Sequence, residues 1–330
     1  MKVGILGSGS WTTALAQVLA DNGHEPVLKG ICEDEVSDIN NNHRNEKFFK
    51  GVDINPAIKA TLNYEDIADA EIILFGVPVV AVKTVATELY PYLQKPIIAI
   101  NVAKGFEPQS KKRLSLIIKE VLQDKVKNVV SLIGPSHAEE VILRQLTCIN
   151  SVSDDEESAT IIQHLFANDY FRVYRNSDTV GAEIAAAAKN VMAIASGALT
   201  GLKQGDNARA ALMTRGLAEI TRYGMAFGGE KETFLGLNGV GDLIVTCSSV
   251  HSRNFQAGLA IGMADSSEEF LKNNHTTTEG ILTAKTIHLM AQEKGISMPI
   301  TDAVYKVLYE GKKPSEVIVE LMKRPLKAED

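Results

Sequence analysis

Glycines at positions 7 and 9 close the apolar run KVGILG, and a segment of helical spacing, TTALAQVLADNG, follows at once. A glycine turn between strand and helix is a place where a dinucleotide pyrophosphate can lie on a helix N-terminus. Gly7 permits the tight turn, and Gly9 lets the main chain approach phosphate. The third glycine of GxGxxG is replaced by Thr12, and a turn without a ligand is the competing reading. An acid for the ribose hydroxyls, expected about 20 residues on, is not cleanly placed where the second apolar run ends, at Lys29-Gly30-Ile31-Cys32-Glu33-Asp34.

A second group of residues could move a proton. Lys189 and Asn190 sit in GAEIAAAAKNVMAIASGALTGL, and burial among such residues disfavours an ammonium, so a lysine there can work as an acid or base near neutral pH. A lysine at a helix edge would instead carry its head to solvent. Lys104, in VAKGFE, follows a strand by position, where α/β folds bind ligands; a solvated loop lysine is its plain alternative. Gly241-Asp242-Leu243 follows a flexible NGVGD turn, and Ser252-Arg253-Asn254 stands at a helix start. An arginine fork, a hydroxyl, an amide and free main-chain NH groups suit a small phosphate, although each segment alone reads equally as a turn or a cap. His137 and His251 lie near these segments without a partner at metal-ligand spacing and are read as structural; no metal is expected.

The elements that must position these groups follow from periodicity. Up to about Tyr174, short apolar runs (KVGILG, EPVLKG, EIILFGVP, PIIAINVAK, NVVSLIGPS, LTCINSV, YFRVY) alternate with helix-length amphipathic segments, the rhythm of βαβ units around a largely parallel sheet. Runs such as EIILF suit a sheet covered on both faces. After Asp178 the chain becomes alanine-rich and leucine-rich with helical spacing, interrupted by turns at GDNAR, FGGEKE and GLNGVGD. Two domains are expected, 1–178 for the dinucleotide and a helical 179–330 for substrate and catalysis. DDEES at 154–158 reads as a helix start, its acids favouring the N-terminus.

Composition bounds the function. Of 330 residues, 45% are apolar and 23% charged, which is ordinary for a soluble globular protein. The 34 basic and 41 acidic residues leave a net charge of −7, too acidic for a protein that coats nucleic acid or an anionic membrane. Cys32, Cys148 and Cys247 form neither a CxxC pair nor a disulfide framework, which fits a reducing cytoplasm. No signal peptide is visible at the N-terminus. The most membrane-like stretch, Ala182 to Leu202, contains Glu183, Lys189 and Asn190 and reads as a buried helix.

Taken in order, these segments resemble the bacterial NAD(P)-dependent glycerol-3-phosphate dehydrogenases. The matching strings are GSGSW at 7–11, NGHE at 22–25, VAKG at 102–105, GPSHAEE at 134–140, FRVY at 171–174 and AKNV at 188–191. NARAALMTRGLAE at 207–219, GVGDLIVTC at 239–247, SRN at 252–254, TEG at 278–280 and MPIT at 298–301 continue the match, so it covers essentially the whole chain. The resemblance implies an α/β protein with an N-terminal Rossmann-type mostly parallel sheet and a C-terminal all-helical domain. It implies reversible hydride transfer between NAD(P)H and dihydroxyacetone phosphate to give sn-glycerol 3-phosphate, a phospholipid precursor. Lys189 would be the proton donor and acceptor, with Lys104, Asn190 and Asp242 holding the substrate and tuning the charge. Substrate contacts carry over to Lys104, Gly134, Ser136, Lys189, Asp242, Ser252, Arg253 and Asn254, and cofactor contacts to Ser10, Trp11, Lys104, Ala138, Arg253 and Glu279 beside Gly7 and Gly9. A cytoplasmic homodimer, without membrane insertion or nucleic-acid binding, is the expected setting.

Three positions depart from the family pattern. Thr12 replaces a glycine, Ile31 a basic or imidazole side chain, and Ala185-Ala186 the glycines before the lysine. Ile31 offers no cation for a 2′-phosphate, and Glu33 and Asp34 would repel one, so NAD is the expected preference over NADP. Thr12 must either push the first helix outward or find room beside a small neighbour. Two other readings compete: a β-hydroxyacid or 6-phosphogluconate-type dehydrogenase, whose lysine is followed by asparagine four residues later, and a non-catalytic dinucleotide sensor.

Overall fold

The computed structural model describes residues 1–274, 278–326, 328 and 329. The chain divides into two compact units, Met1–Glu183 and Ile184–Asp330. In the first, strands β1 (Lys2–Leu6), β2 (Glu25–Lys29), β3 (Lys59–Thr61), β4 (Ile72–Phe75), β5 (Ile97–Asn101), β6 (Val126–Ile133), β7 (Thr147–Val152) and β8 (Phe171–Asn176) form one sheet. Their order is β3-β2-β1-β4-β5-β6-β7-β8. Neighbours run parallel except β6 and β7, which pair antiparallel from Ser131–Val152 to Ile133–Asn150. The order 3-2-1-4-5-6 within it is that of a Rossmann sheet, and crossover helices cover both faces. These helices are α1 (Ser10–Asp21), α2 (Glu33–Ser37), α3 (Val82–Leu89), α4 (Leu114–Leu122), α5 (Ala138–Val141) and α6 (Glu156–Phe166).

Period-2 alternation divides the apolar strands between two cores. Ile72 and Leu74 join Val3, Ile5, Ile98 and Ile100 in a cluster with residues of α1 and α6. Ile73 and Phe75 join Ile97, Ala99 and the apolar stripes of α3 and α4 on the other side. A sheet buried on both faces needs such unbroken apolar runs, which is why β4 and β5 were visible in the sequence. The seven expected runs coincide with seven strands. The eighth, β3, is a three-residue edge strand without an apolar run, paired through Val27–Lys59 to Lys29–Thr61. The acidic run at 154–158 starts α6 as expected, Asp155 accepting from the Ser158 amide at 2.7 Å.

The second unit is helical. Helix α7 (Thr179–Gly201) straddles the boundary between the units and is followed by α8 (Asp206–Ala226), α9 (Lys231–Leu235), α10 (Asp242–Ser248) and α11 (Arg253–Ala264). Then come α12 (Glu268–Asn273), α13 (Glu279–Lys294), α14 (Pro299–Tyr309) and α15 (Pro314–Met322). α7 is long and apolar enough to cross a bilayer, but 78% of its most apolar window is buried within the fold. The expected turn at GLNGVGD is instead a π-helical turn, Leu237–Gly241, running directly into α10. Its glycines permit close approach, so the wide turn packs where a flexible loop was expected.

α7 and α11 cross with their main chains in contact. A Cβ on Gly197 would collide with the carbonyl oxygen of Phe255, and one on Gly258 with that of Ile194. One turn further along, a Cβ on Gly201 would sit 2.5 Å from the Leu259 carbonyl oxygen, and one on Gly262 would strike that of Ala198. Nothing larger than glycine fits at these crossings.

Candidate active site

In the first unit the glycine turn is held from three sides. Gly7 has φ +108°, a conformation side chains disfavour, and its amide donates to the Lys29 carbonyl at 2.8 Å. Ser8 Oγ donates to Glu35 Oε2 at 2.5 Å, and Lys47 Nζ donates to Glu35 Oε1 at 2.6 Å. Asn45 Nδ2 ties the turn to α1 by donating to the Ser8 carbonyl and to Thr13 Oγ1, each at 2.9 Å. Gly9 caps α1, and a Cβ there would meet nothing within 4 Å. The first intrahelical bond runs from the Thr13 amide to the Gly9 carbonyl, so the amides of Ser10, Trp11 and Thr12 are left for an outside acceptor. No acid stands in that turn to repel an anion. Trp11 Nε1 is also buried and has no partner among the described residues. Open space, free amides and an unpartnered donor fit a dinucleotide pyrophosphate.

Thr12 is fully buried, and its methyl occupies the space that Gly76 leaves, where an added Cβ would collide with it. The side chain standing in for the third glycine is therefore accommodated by a glycine just past β4.

Lys104 is half-buried just past β5, and a chain of polar groups orders the segment leading to it. Glu183, 5% exposed, lies 3.5 Å from Arg113 and accepts from Ser131 Oγ at 3.3 Å. Ser131 in turn accepts from Asn101 Nδ2 at 3.3 Å, and Asn101 Oδ1 accepts from the Ala103 amide at 3.2 Å. Burial pushes the Glu183 carboxyl above its ordinary range, opposed by the Arg113 guanidinium. Past β6, Gly134 is buried against Ile149, Ser136 Oγ donates to the Gly134 carbonyl at 3.0 Å, and Ala138 opens α5.

In the second unit Lys189 is buried, 5% exposed, so the helix-edge alternative does not hold. Its Nζ donates to Asp242 Oδ1 and, at 2.9 Å, to Thr246 Oγ1. Thr246 Oγ1 also donates to the Asp242 carbonyl at 2.6 Å. The ammonium is thus paired and aimed by two residues one helical turn apart on α10. Ser196 Oγ joins α7 to α10 by donating to the Cys247 carbonyl at 2.8 Å. Burial pushes the Cys247 thiol up to about 12, so it stays a neutral neighbour.

Asn190, Asn254 and Gly280 meet beside this pair. Asn254 Oδ1 accepts from the Gly280 amide at 2.9 Å, and a Cβ on Gly280 would lie 2.7 Å from both the Asn190 carbonyl oxygen and Asn254 Oδ1. Glu279, the first residue of α13, directly precedes Gly280. Ser252 caps α11, accepting from the Phe255 amide at 3.2 Å, and Arg253 stands exposed at the helix start. His137 is the N-cap of α5, and His251 is exposed between α10 and α11. Sequence reasoning missed Thr246 because an expected turn hid its i+4 spacing from Asp242, and missed Glu35 because it lies past the strand end where an acid was sought.

The profile of the NAD-dependent glycerol-3-phosphate dehydrogenase N-terminus matches residues 2–159, and that of the C-terminus matches residues 178–319. The chain belongs to the NAD-dependent glycerol-3-phosphate dehydrogenase family. Curated members named glycerol-3-phosphate dehydrogenase [NAD(P)+] from Streptococcus agalactiae and Streptococcus equi subsp. zooepidemicus are each 46% identical to it over 100% of this chain and 98% of theirs. The crystal structure of glycerol-3-phosphate dehydrogenase from Coxiella burnetii superposes with a TM-score of 0.91 at 33% identity, covering 98% of this chain and 99% of that one. D-mandelate dehydrogenase, at 14% identity and TM-score 0.63, shares the fold alone.

Proposed function

We propose that the chain reversibly converts dihydroxyacetone phosphate to sn-glycerol 3-phosphate with NAD(P)H, residues 1–178 holding the dinucleotide and 179–330 the substrate and the proton. The observation that carries this reading is Lys189, buried on Asp242 and Thr246 in a member of this enzyme family. Bound nicotinamide supplies the hydride in reduction and accepts it in oxidation. Lys189 gives a proton from Nζ to the carbonyl oxygen as that oxygen gains charge, and takes it back from the hydroxyl in the reverse direction. Asp242 favours the ammonium and Thr246 fixes its direction, so the charge is held in place without reorganisation. The free amides of Ser10, Trp11 and Thr12 would cradle the pyrophosphate, with Lys104, Ala138, Arg253 and Glu279 as the further cofactor contacts. Arg253, exposed at the start of α11, supplies a planar fork for the substrate phosphate, with Ser252 and Asn254 from the same helix start; Gly134 and Ser136 are the substrate contacts that the family resemblance assigns to the first unit.

The product is the backbone of phospholipids, and a cytoplasmic homodimer is the setting we assign. The decisive experiment is Lys189→Met, which keeps the apolar stem and removes the proton. NADH binding should survive while reduction of dihydroxyacetone phosphate falls by about 10²-fold or more. A variant within about threefold of the parent rate would refute the assignment.

A further inference from the structure

The stretch from Lys29, the last residue of β2, to Lys47 carries three lysine or arginine cations, and each has a partner. Lys29 Nζ lies over the Tyr64 ring, 4.3 Å from its centroid. Arg44 Nε donates to Asp53 Oδ1 at 2.6 Å. Lys47 Nζ is held by Glu35 Oε1 at 2.6 Å. The third pair differs from the others because its carboxylate is buried, 9% exposed, and reaches into the glycine turn through Ser8. Gly30 brings the end of β2 against the same serine: a Cβ there would lie 2.9 Å from Ser8 Oγ. Glu35 therefore stands at the corner made by the glycine turn, the end of β2 and α2. In a sheet of this order that corner receives the adenosine ribose, so the charge balance there acts on a 2′-phosphate and hardly at all on a 2′-hydroxyl. Ile31, 91% exposed at the same corner, contributes no charge.

We propose that Glu35 is a specificity-determining residue, which occupies the Lys47 ammonium and thereby disfavours a 2′-phosphate, selecting NADH over NADPH. The inference rests on the dinucleotide-binding reading and deepens it. With both its oxygens engaged, Glu35 is fixed by Ser8, and Lys47 cannot turn to a ligand without leaving a buried carboxylate unpaired. Glu35→Gln keeps the shape and an acceptor for Ser8 while releasing the lysine.

The test is a fluorescence titration of NADH and of NADPH, without substrate, into parent, Glu35→Gln, Lys47→Met and the double variant. Glu35→Gln is expected to improve NADPH affinity relative to NADH by about fivefold or more, the scale of a partly exposed charge contact. The double variant, which restores the parent's net charge at the corner, should return to within about twofold of the parent ratio. Lys47→Met alone should weaken NADPH relative to NADH, and it carries the test if Glu35→Gln does not fold. An unmoved ratio in Glu35→Gln, or a gain that survives loss of Lys47, would overturn the proposal. A parent that binds neither cofactor would overturn the dinucleotide reading as well, whereas a parent that binds NADH with a ratio no variant moves defeats this inference alone.

Discussion

Thr12→Gly restores the family's glycine, and the packing described above implies that it makes the protein worse. The Thr12 methyl fills the space left by Gly76, and removing Cβ and Cγ2 opens a small void at the contact of α1 with the sheet. At about 0.8 kcal/mol per buried carbon, plus up to about 1 kcal/mol for glycine in a helix, the loss should be about 2–3 kcal/mol. The hydroxyl adds little, because the Gly9 carbonyl that accepts it at 3.0 Å also accepts from Thr13 N and Thr13 Oγ1. Gly76→Ala alone should cost about 1–3 kcal/mol, since its methyl collides with Thr12. In the double variant the alanine methyl enters the void, so the two changes should couple favourably by about 1–3 kcal/mol. Urea unfolding of the four proteins measures the cycle, and NADH titration of each measures the site. Additive losses within about 0.5 kcal/mol, or several-fold tighter NADH binding by Thr12→Gly at unchanged stability, would refute the reasoning.

Further outcomes are expected elsewhere. Arg253→Lys keeps the charge but loses the fork, so kcat/KM for dihydroxyacetone phosphate should fall well below the loss seen with unphosphorylated dihydroxyacetone; equal losses would remove the phosphate role. Glu183→Ala should disturb the segment before Lys104 and lower kcat/KM, with partial rescue by Glu183→Gln, which keeps an acceptor for Ser131; no difference between the two would make Glu183 a packing residue only. Glu219 accepts from the amides of Ile300 at 2.9 Å and Thr301 at 2.8 Å, and burial raises its carboxyl above the ordinary range. The folded state then holds that proton to higher pH than the unfolded chain, so stability declines as pH rises from the unfolded carboxyl value through the folded one. The stability difference between parent and Glu219→Gln should follow this fall, and a flat difference between pH 4 and 8 would contradict it.

What the sequence made legible was local. The glycine turn, the apolar strands and the helix start at Asp155 each depend on a few neighbouring residues, and each stands where it was expected. β3 was not legible because Lys59-Ala60-Thr61 is a strand only by virtue of β2 beside it. The fit of Thr12 was likewise hidden, since its answer, Gly76, lies three strands later in the sequence and next to it in space. Lys189 and Glu183 stood out as charges within an apolar helix, but their partners come from separate elements: Asp242 and Thr246 for one, Arg113 and Ser131 for the other. Residue type therefore pointed to where chemistry could occur, and tertiary contact supplied the direction of each group.

The crossing of α7 and α11 bears on how the protein should respond to heat. Leucine-filled cores absorb thermal expansion by exchanging rotamers, but a seam of glycine against carbonyl oxygen has no rotamers to exchange. Lys189 lies about two turns before Gly197 on α7, and Asn254 about one turn before Gly258 on α11. Warming therefore has no gradual way to widen the spacing of these residues, which holds until the helices part. Activity should follow the ordinary temperature dependence of a rate almost to the melting point and then vanish steeply, without a long sloping decline beforehand.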